Sequence, residues 1–303
     1  MRQVFCTVLS KYRLYQGMAL YKSLIDNTEH FKLYILCVDG DTYHICSKMC
    51  LRNVELLKVT DLKNPRLVTI REERCLTEYC WTLKAFLIEY VLGKRKSGRY
   101  VTYLDGDMYF FSDPAVIYKK DTNADVMLSE HDYSEFFKKL NAYCGKYNSG
   151  FIAFKNVTNA INALKWWQEE CLKWCYSKIK EGKFGDQKYL DFMPELFKNV
   201  CSISTKGVNI APWNEQKYNF CTKEGKLYIG GDRLVCYHFS GFRVVNKNKV
   251  ALTTCSKEFN KIPYLKYINT FKTVMKDIEK IASGFNAFST ENKIGKGARY
   301  YDI

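Results

Sequence analysis

No stretch of the 303-residue chain approaches the roughly 20 consecutive apolar residues of a membrane-spanning helix. The start, MRQVFCTVLSKYRLYQ, has only a short apolar run, broken by Lys11 and Arg13. It lacks the longer apolar centre of a secretory leader and reads as a first strand entering a domain. The 13 cysteines show no repeated Cys-x-x-Cys pairs at zinc spacing. Cys46/Cys50 and Cys171/Cys175 are four apart, which is one helix face, and reduced, buried thiols of a cytoplasmic protein fit them better than zinc. A dense arginine-rich arm and zinc-finger spacing are both missing, so the chain is not read as a dedicated nucleic-acid binder. It also has no internal repeat, no low-complexity segment and no clear linker between two domains.

What is present is a globular composition, with 47% hydrophobic and 16% aromatic residues, enough for an ample core. The formal net charge of +15 favours anionic partners, among them nucleotides, acidic glycans and an anionic membrane face. Charge alone does not choose among them.

The first half alternates. Residues 3–10, 31–39 and 53–59 read as strands. Residues 15–27 and 41–51 read as helices, the second opened by an aspartate cap, and 77–93 as a further helix with Gly93 as its C-cap. Residues 99–111, 124–130 and 147–156 continue the strands. This rhythm argues for an α/β layer with a largely parallel sheet. Later come a long helix over 157–179, a short helix over 185–197 stopped near Pro194, and a late strand over 233–242. An amphipathic helix over 264–282 and a loose polar tail over 289–303 follow. In the amphipathic helix Ile262, Leu265, Ile268, Phe271, Met275, Ile278 and Ile281 recur at helical spacing. Lys261, Lys266, Lys272, Lys276 and Lys280 line much of the rest. Such a helix suits an anionic membrane surface or its own domain equally well.

Chemistry concentrates in YVTYLDGDMYFFSDP, residues 100–114. An apolar run ends on Asp105 and Asp107, with Gly106 between them. Two like charges held close call for a cation or a donor network. Alternation along a strand would send both carboxylates to one face, where their hard oxygens suit Mg²⁺ or Mn²⁺ on phosphate oxygens. In open α/β sheets, ligands bind beyond the carboxyl ends of strands, where this pair falls. Asp-Gly is also ordinary turn chemistry.

Apolar strand, Asp-Gly-Asp and MYFFSDP together resemble the Asp-x-Asp region of GT-A fold glycosyltransferases. NSGF at 148–151, GDQ at 185–187 and HFSG at 238–241 follow in the order of glycosyltransferase family 8, so the resemblance spans about residues 1–245. It implies a GT-A, Rossmann-like nucleotide-diphospho-sugar transferase domain over 1–245: a mixed, mostly parallel sheet flanked by helices. Residues 246–303 would be a C-terminal helical extension and tail.

The resemblance further implies Asp105, Asp107 and His238 as ligands of Mn²⁺ or Mg²⁺. It puts Asn148, Asp186 and Gln187 at the donor sugar, with Asp186 taking hydrogen bonds from sugar hydroxyls. Thr7 and Tyr12 fall where the nucleobase is held. Lys84, Gly106, Gly150 and Gly241 fall along the donor, and Glu130 and His131 on the acceptor side. The family pattern continues to a phosphate-gripping Lys-Pro-Trp, whereas this chain reads HFSGFRVVNK, leaving Arg243 as a substitute. Plainer roles stand beside these: Asp186 as a helix N-cap, Lys84 as a solvated helix lysine, and NSG as a turn.

The expected activity is transfer of a sugar, with retention, from a nucleotide-diphosphate donor such as a UDP-sugar to a glycan or glycolipid hydroxyl. The expected setting is cytoplasmic, with room for contact on the inner face of a membrane; sequence leaves the oligomeric state open. An inverting enzyme would need a carboxylate base, for which Glu130 or Asp132 could serve. A sugar nucleotidyltransferase would carry a glycine-rich phosphate loop near its start, and TVLSKYRLYQ has none. A glycan-binding or scaffold protein on a transferase fold is the non-enzymatic alternative.

Overall fold

A computed structural model describes residues 2–120, 123–252, 261–289, 294 and 297–303. Its first eight strands are β1 (Gln3–Leu9), β2 (Phe31–Cys37), β3 (Val54–Lys58), β4 (Tyr100–Leu104), β5 (Met108–Phe110), β6 (Val126–Glu130), β7 (Tyr147–Lys155) and β8 (Val200–Ser202). Seven of them make the central sheet in the order β3-β2-β1-β4-β7-β6-β8. β2 and β4 both run parallel to β1, and β3 runs parallel to β2. β7 is antiparallel to β4 and β6, and β8 is parallel to β6. The mixed, mostly parallel sheet expected from the alternation is therefore present.

The interior strands read as continuous apolar runs because helices cover both faces. β1 is buried from Val4 to Leu9 and β7 from Tyr147 to Phe154. The helices are α1 (Leu14–Asn27), α2 (Gly40–Lys48), α3 (Arg66–Glu73), α4 (Leu76–Gly93), α5 (Ala115–Lys120), α6 (Leu140–Cys144), α7 (Thr158–Lys173), α8 (Met193–Leu196) and α9 (Lys261–Ile281). One core cluster joins α1 and α9 to one side of the sheet, and a second joins α4 and α7 to the other. Stacking of Phe154 on Trp167, with rings 10° apart, lies in the second.

Several local boundaries differ from the expectations. α2 starts earlier, because Asp39 caps it by accepting from Thr42 N at 2.8 Å. α4 runs through Gly93 and is capped by Lys94. α7 stops at Lys173, and α2 at Lys48, so Cys175 and Cys50 lie past their helix ends and neither cysteine pair shares a helix face. None of the described cysteines is in a disulfide. Pro194 does not stop a helix: it sits in the first turn of α8, which continues from a 3-10 helix at Gln187–Phe192. Proline fits there because that turn's N–H groups have no helical partner.

The chain closes with β9 (Phe220–Lys223), β10 (Lys226–Ile229), β11 (Asp232–Arg233), β12 (Cys236–His238), β13 (Phe242–Asn246), β14 (Lys249–Leu252) and β15 (Arg299–Asp302). The polar tail is not wholly loose, since β15 pairs antiparallel with β14; residues 290–293, 295 and 296 of it lie outside the described residues.

α9 packs against α1. Its buried stripe is Tyr264, Tyr267, Phe271, Val274 and Ile278, while Leu265 and Ile262 are exposed. The stripe is thus rotated from the aliphatic one expected. Tyrosines take much of the inner face because their rings pack there, and the Tyr264 hydroxyl also finds a partner. Tyr267 stacks on Phe239 at 3.8 Å, and the Tyr264 hydroxyl meets that of Tyr237 at 3.2 Å. Lys266, Lys272, Lys276 and Lys280 face outward; the Lys261 side chain lies outside the described residues. Among the described residues no helix is long and apolar enough to cross a membrane.

Candidate active site

The sheet order explains where the site falls. The chain leaves β1 for β2 and β3 on one side, then returns to place β4 on the other. Loops after β1 and β4 therefore diverge and open a crevice at the sheet's carboxyl edge, the usual ligand position in such sheets. β7 runs the opposite way, so its first residues, Tyr147 to Gly150, arrive at that same edge. A cleft of about 830 Å³ lies there, within the size range of small-molecule sites.

Asp105 and Asp107 sit in the turn between β4 and β5, not on the strand. The turn, and not strand alternation, brings them together. β12 pairs antiparallel with β5, setting His238 opposite Met108. His238 Nε2 then lies 3.1 Å from Asp107 Oδ1 and 3.9 Å from Asp105 Oδ2. Ligand atoms of the three residues all fall within 4.8 Å of one another.

The other ring nitrogen, Nδ1, faces Asn209 Oδ1 at 3.3 Å. Asn209 Oδ1 can only accept, so Nδ1 carries the proton and donates. Nε2 faces the Asp107 oxygen: a bound cation would be ligated by both, and without one a protonated Nε2 donates to that carboxylate. This donor set of two carboxylates and an imidazole, with its outer partner in place, fits a divalent ion such as Mn²⁺ or Mg²⁺. Asp107 is held well below the usual carboxylate range: burial pushes it up, but His238, Arg13 and Arg243 outweigh that.

Gly150 has a clear reason to be glycine. A Cβ there would fall 2.6 Å from His238 Cε1 and 2.7 Å from Asn148 Oδ1. It makes room for the histidine and is not on the cleft wall, where a donor contact was expected.

Lys84 is no solvated helix lysine. It is buried on α4, with Nζ 2.9 Å from Asp105 Oδ1, 3.3 Å from Asp186 Oδ2 and 2.8 Å from Ser149 Oγ. Burial pushes its pKa down, but the charges of Asp105 and Asp186 more than reverse this and keep it above the ordinary lysine value. Asp186 is raised by burial against the pull of Lys84. Its carboxylate makes no cap bond to the following 3-10 helix, so the N-cap role fails; the side chain turns into the cleft instead. The backbone is anchored by Trp167 Nε1, which donates to Asp186 O at 2.8 Å.

Asn148 Nδ2 donates to His131 Nε2 at 3.3 Å and to Gln187 Oε1 at 3.4 Å, while its Oδ1 accepts from Gly150 N at 3.0 Å. Gln187 Nε2 donates to Cys144 O at 2.9 Å. Asn148, Gln187 and His131 are therefore one oriented group on the cleft wall. Burial drives His131 down to about 3, so its imidazole is neutral at physiological pH. It stacks on Tyr133 at 4.6 Å and meets the edge of Trp213 at 5.2 Å.

Tyr12, Gly106, Gly241 and Arg243 also line the cleft. Besides Gly150, two expected residues do not. Thr7 is fully buried within β1, and Val8 and Ser10 reach the cleft in its place. Glu130 is engaged away from it, accepting from Ser202 Oγ at 2.5 Å and pairing with Lys146 at 3.1 Å. Sequence reasoning missed Arg13, Asn209, Tyr133 and Trp213. Pro212-Trp213-Asn214, an aromatic in a polar loop, was the available signal for one of them.

The nucleotide-diphospho-sugar transferase family model matches residues 29–247. A Bacillus subtilis (strain 168) protein, the uncharacterized YfnF, is 38% identical over 96% of this chain and 99% of its own. A second protein of that strain, the uncharacterized YfnD, is 31% identical over 94% and 93%. Among solved structures, the galactosyltransferase LgtC with donor and acceptor sugar analogues aligns over 90% of this chain and 96% of its own. Its TM-score is 0.57 at 13% identity. Mouse xyloside xylosyltransferase 1 aligns over 79% and 98%, with a TM-score of 0.50 at 11% identity. These structural likenesses are likenesses of fold, and the fold is of the GT-A type.

Proposed function

The chain belongs to the nucleotide-diphospho-sugar transferase family, and on that premise we propose that it moves a sugar from a nucleoside diphosphate, a UDP-sugar, to an acceptor hydroxyl. The acceptor is a glycan or glycolipid, and the anomeric configuration is retained. The observation that carries this is the grouping of Asp105, Asp107 and His238 at the cleft over the switch point of the sheet.

A divalent cation bound to those three residues would supply Lewis-acid neutralisation of the leaving diphosphate. Lys84 holds Asp105 and Asp186 in place and adds a fixed positive charge beside the phosphates. Asp186 accepts hydrogen bonds from donor-sugar hydroxyls. Asn148 and Gln187 orient the sugar near its anomeric carbon, a positioning role that depends on their fixed amides. Tyr12 stacks on the base. His131, neutral and flanked by Tyr133 and Trp213, faces the acceptor with an aromatic surface on which a sugar ring can lie.

Retention draws support from the carboxylates. Asp105, Asp107 and Asp186 line the cleft, and each is committed to the histidine or to Lys84. Glu130 is tied to Lys146, and Asp132 to Lys217 and Tyr218, so neither stands ready as an inverting base. Same-face attack assisted by the departing phosphate is the course that fits. We also propose residues 1–245 as the transferase unit, with 246–303 completing it, since Phe288 and Ser289 line the cleft.

The test is a panel of sugar nucleotides incubated with Mn²⁺, reading nucleoside diphosphate release and, with acceptor present, the anomeric coupling in the product's NMR spectrum. Mn²⁺-dependent release from a UDP-sugar with an axial product linkage supports the proposal. Folded protein that neither binds nor cleaves any sugar nucleotide sinks it.

A further inference from the structure

Arg13 lies in the 3-10 turn between β1 and α1, with its guanidinium 3.9 Å from Asp107 Oδ2. Its backbone is fixed by a 2.8 Å bond to Ser10 O, and the neighbouring Lys11 N is held by Asp39 Oδ2 at 2.8 Å. The loop that presents Arg13 is therefore tied to both β1 and the start of α2. Arg243, on β13, acts on the same carboxylate by its charge, without an ion pair to it. Its guanidinium donates to Phe242 O at 3.1 Å, and its strand is backed by Ser289 N donating to Val244 O at 2.7 Å. Both arginines line the cleft.

Two guanidiniums near one carboxylate is an unusual balance. It becomes intelligible when the charges of the cleft are counted. The charged side chains lining it are Arg13, Lys84 and Arg243 against Asp105, Asp107 and Asp186. Three against three leaves the wall neutral. A divalent cation on Asp105, Asp107 and His238 would leave an excess of two positive charges. The diphosphate of a sugar nucleotide carries two negative charges. On departure of the sugar the leaving nucleoside diphosphate gains a third.

We infer that Arg13 joins Arg243, the phosphate contact expected from the family resemblance, in a two-guanidinium clamp for the diphosphate of the donor, Arg13 leaving Asp107 as the cation takes that carboxylate over. Planar guanidiniums suit this because each can offer two parallel N–H donors to phosphate oxygens. The mutual repulsion of the two arginines, expressed in Arg243 being lowered to about 10 by burial and by Arg13, is relieved by an anion between them. The clamp binds the product diphosphate more strongly than the donor, because the extra charge appears only on the leaving group. This rests on the donor reading above, and its test separates the two.

Calorimetric titrations with Mn²⁺ alone, UDP and inorganic pyrophosphate, the last two in Mn²⁺, would compare wild type with Arg13→Gln and Arg13→Lys. Circular dichroism and melting would establish that each variant folds. The clamp predicts that Arg13→Gln weakens UDP and pyrophosphate by about tenfold or more, the size of a lost charge-assisted contact. Arg13→Lys should recover part of this. Mn²⁺ alone should bind as well or better in Arg13→Gln, because a cation has left the neighbourhood of Asp107; a merely structural arginine would weaken Mn²⁺ too. UDP affinity within twofold of wild type in folded Arg13→Gln overturns the clamp. Pyrophosphate binding that depends on Arg13, with no preference for any nucleoside diphosphate, keeps the clamp and sinks the donor reading. Wild type that binds neither in Mn²⁺ overturns both.

Discussion

Lys84 Nζ lies 2.9 Å from Asp105 Oδ1, so a buried lysine of α4 and a partly exposed aspartate of the β4–β5 turn form an ion pair at the cleft. Asp186 joins it from the far side of the lysine at 3.3 Å. Removing one member of such a network leaves unpaired charge in a medium that solvates it poorly.

Lys84→Met should therefore destabilise the fold by about 3 kcal/mol, since it strands the buried carboxylate of Asp186 and unpairs the partly exposed Asp105. Lys84→Met combined with Asp186→Asn should recover part of that loss. Urea denaturation of the two variants checks this. Equal stability of wild type and Lys84→Met would mean that water reaches the network freely.

Asn209 fixes the imidazole of His238 from behind. Asn209→Ala should lower Mn²⁺ affinity by about 10–100-fold, the usual cost of losing an outer partner of a ligating histidine. Titration of Mn²⁺ by paramagnetic relaxation reads this directly. An unchanged affinity would show that the ring is oriented by packing against Trp213 alone.

Glu215 gives a pH prediction. Its carboxyl is buried beside Tyr237, whose hydroxyl donates to it at 2.6 Å, and burial raises it to about 7. An unfolded glutamate titrates near about 4.3. Between those values the folded protein keeps a proton that the unfolded chain has released. Stability from this group is full below the lower value and falls as pH rises toward the upper one, by roughly 3 kcal/mol in all. Glu215→Gln keeps an acceptor for Tyr237 and should lose that slope. Denaturation of both proteins at pH 5 and pH 8 checks this: their difference must grow at pH 8 in favour of the variant.

The sheet and the Asp-x-Asp pair were legible because each depends on local pattern. Alternation of apolar runs and amphipathic segments marked the strands, and β4 running into Asp105 marked the crevice. What was hidden depends on pairing across distance or on single-residue parity. His238 was named through the resemblance alone, since no local pattern shows the pairing of β12 with β5 that brings it to Asp107. Thr7 and Val8 differ by one residue, yet only Val8 reaches the cleft. Arg13 looked like a break in an apolar run, and its proximity to Asp107 arises from the turn that follows β1. Glu130 ends a strand at the correct edge, but Ser202 and Lys146 take its carboxylate away. Asn209 sits in a loop with no local signature at all. The inner face of α9 was misread because tyrosines, which count as half-polar, pack their rings there on Phe239 and Tyr237.

The central claim is that a divalent cation at Asp105, Asp107 and His238 holds a nucleoside diphosphate in this cleft. The most direct measurement is a calorimetric titration of UDP into wild type and Asp107→Asn, each with Mn²⁺ and with a chelator. The account predicts binding by wild type only with Mn²⁺, and at least about tenfold weaker binding by a folded Asp107→Asn. Equal UDP affinity in all four titrations, or none in wild type with Mn²⁺ for UDP and every other nucleoside diphosphate, would contradict it.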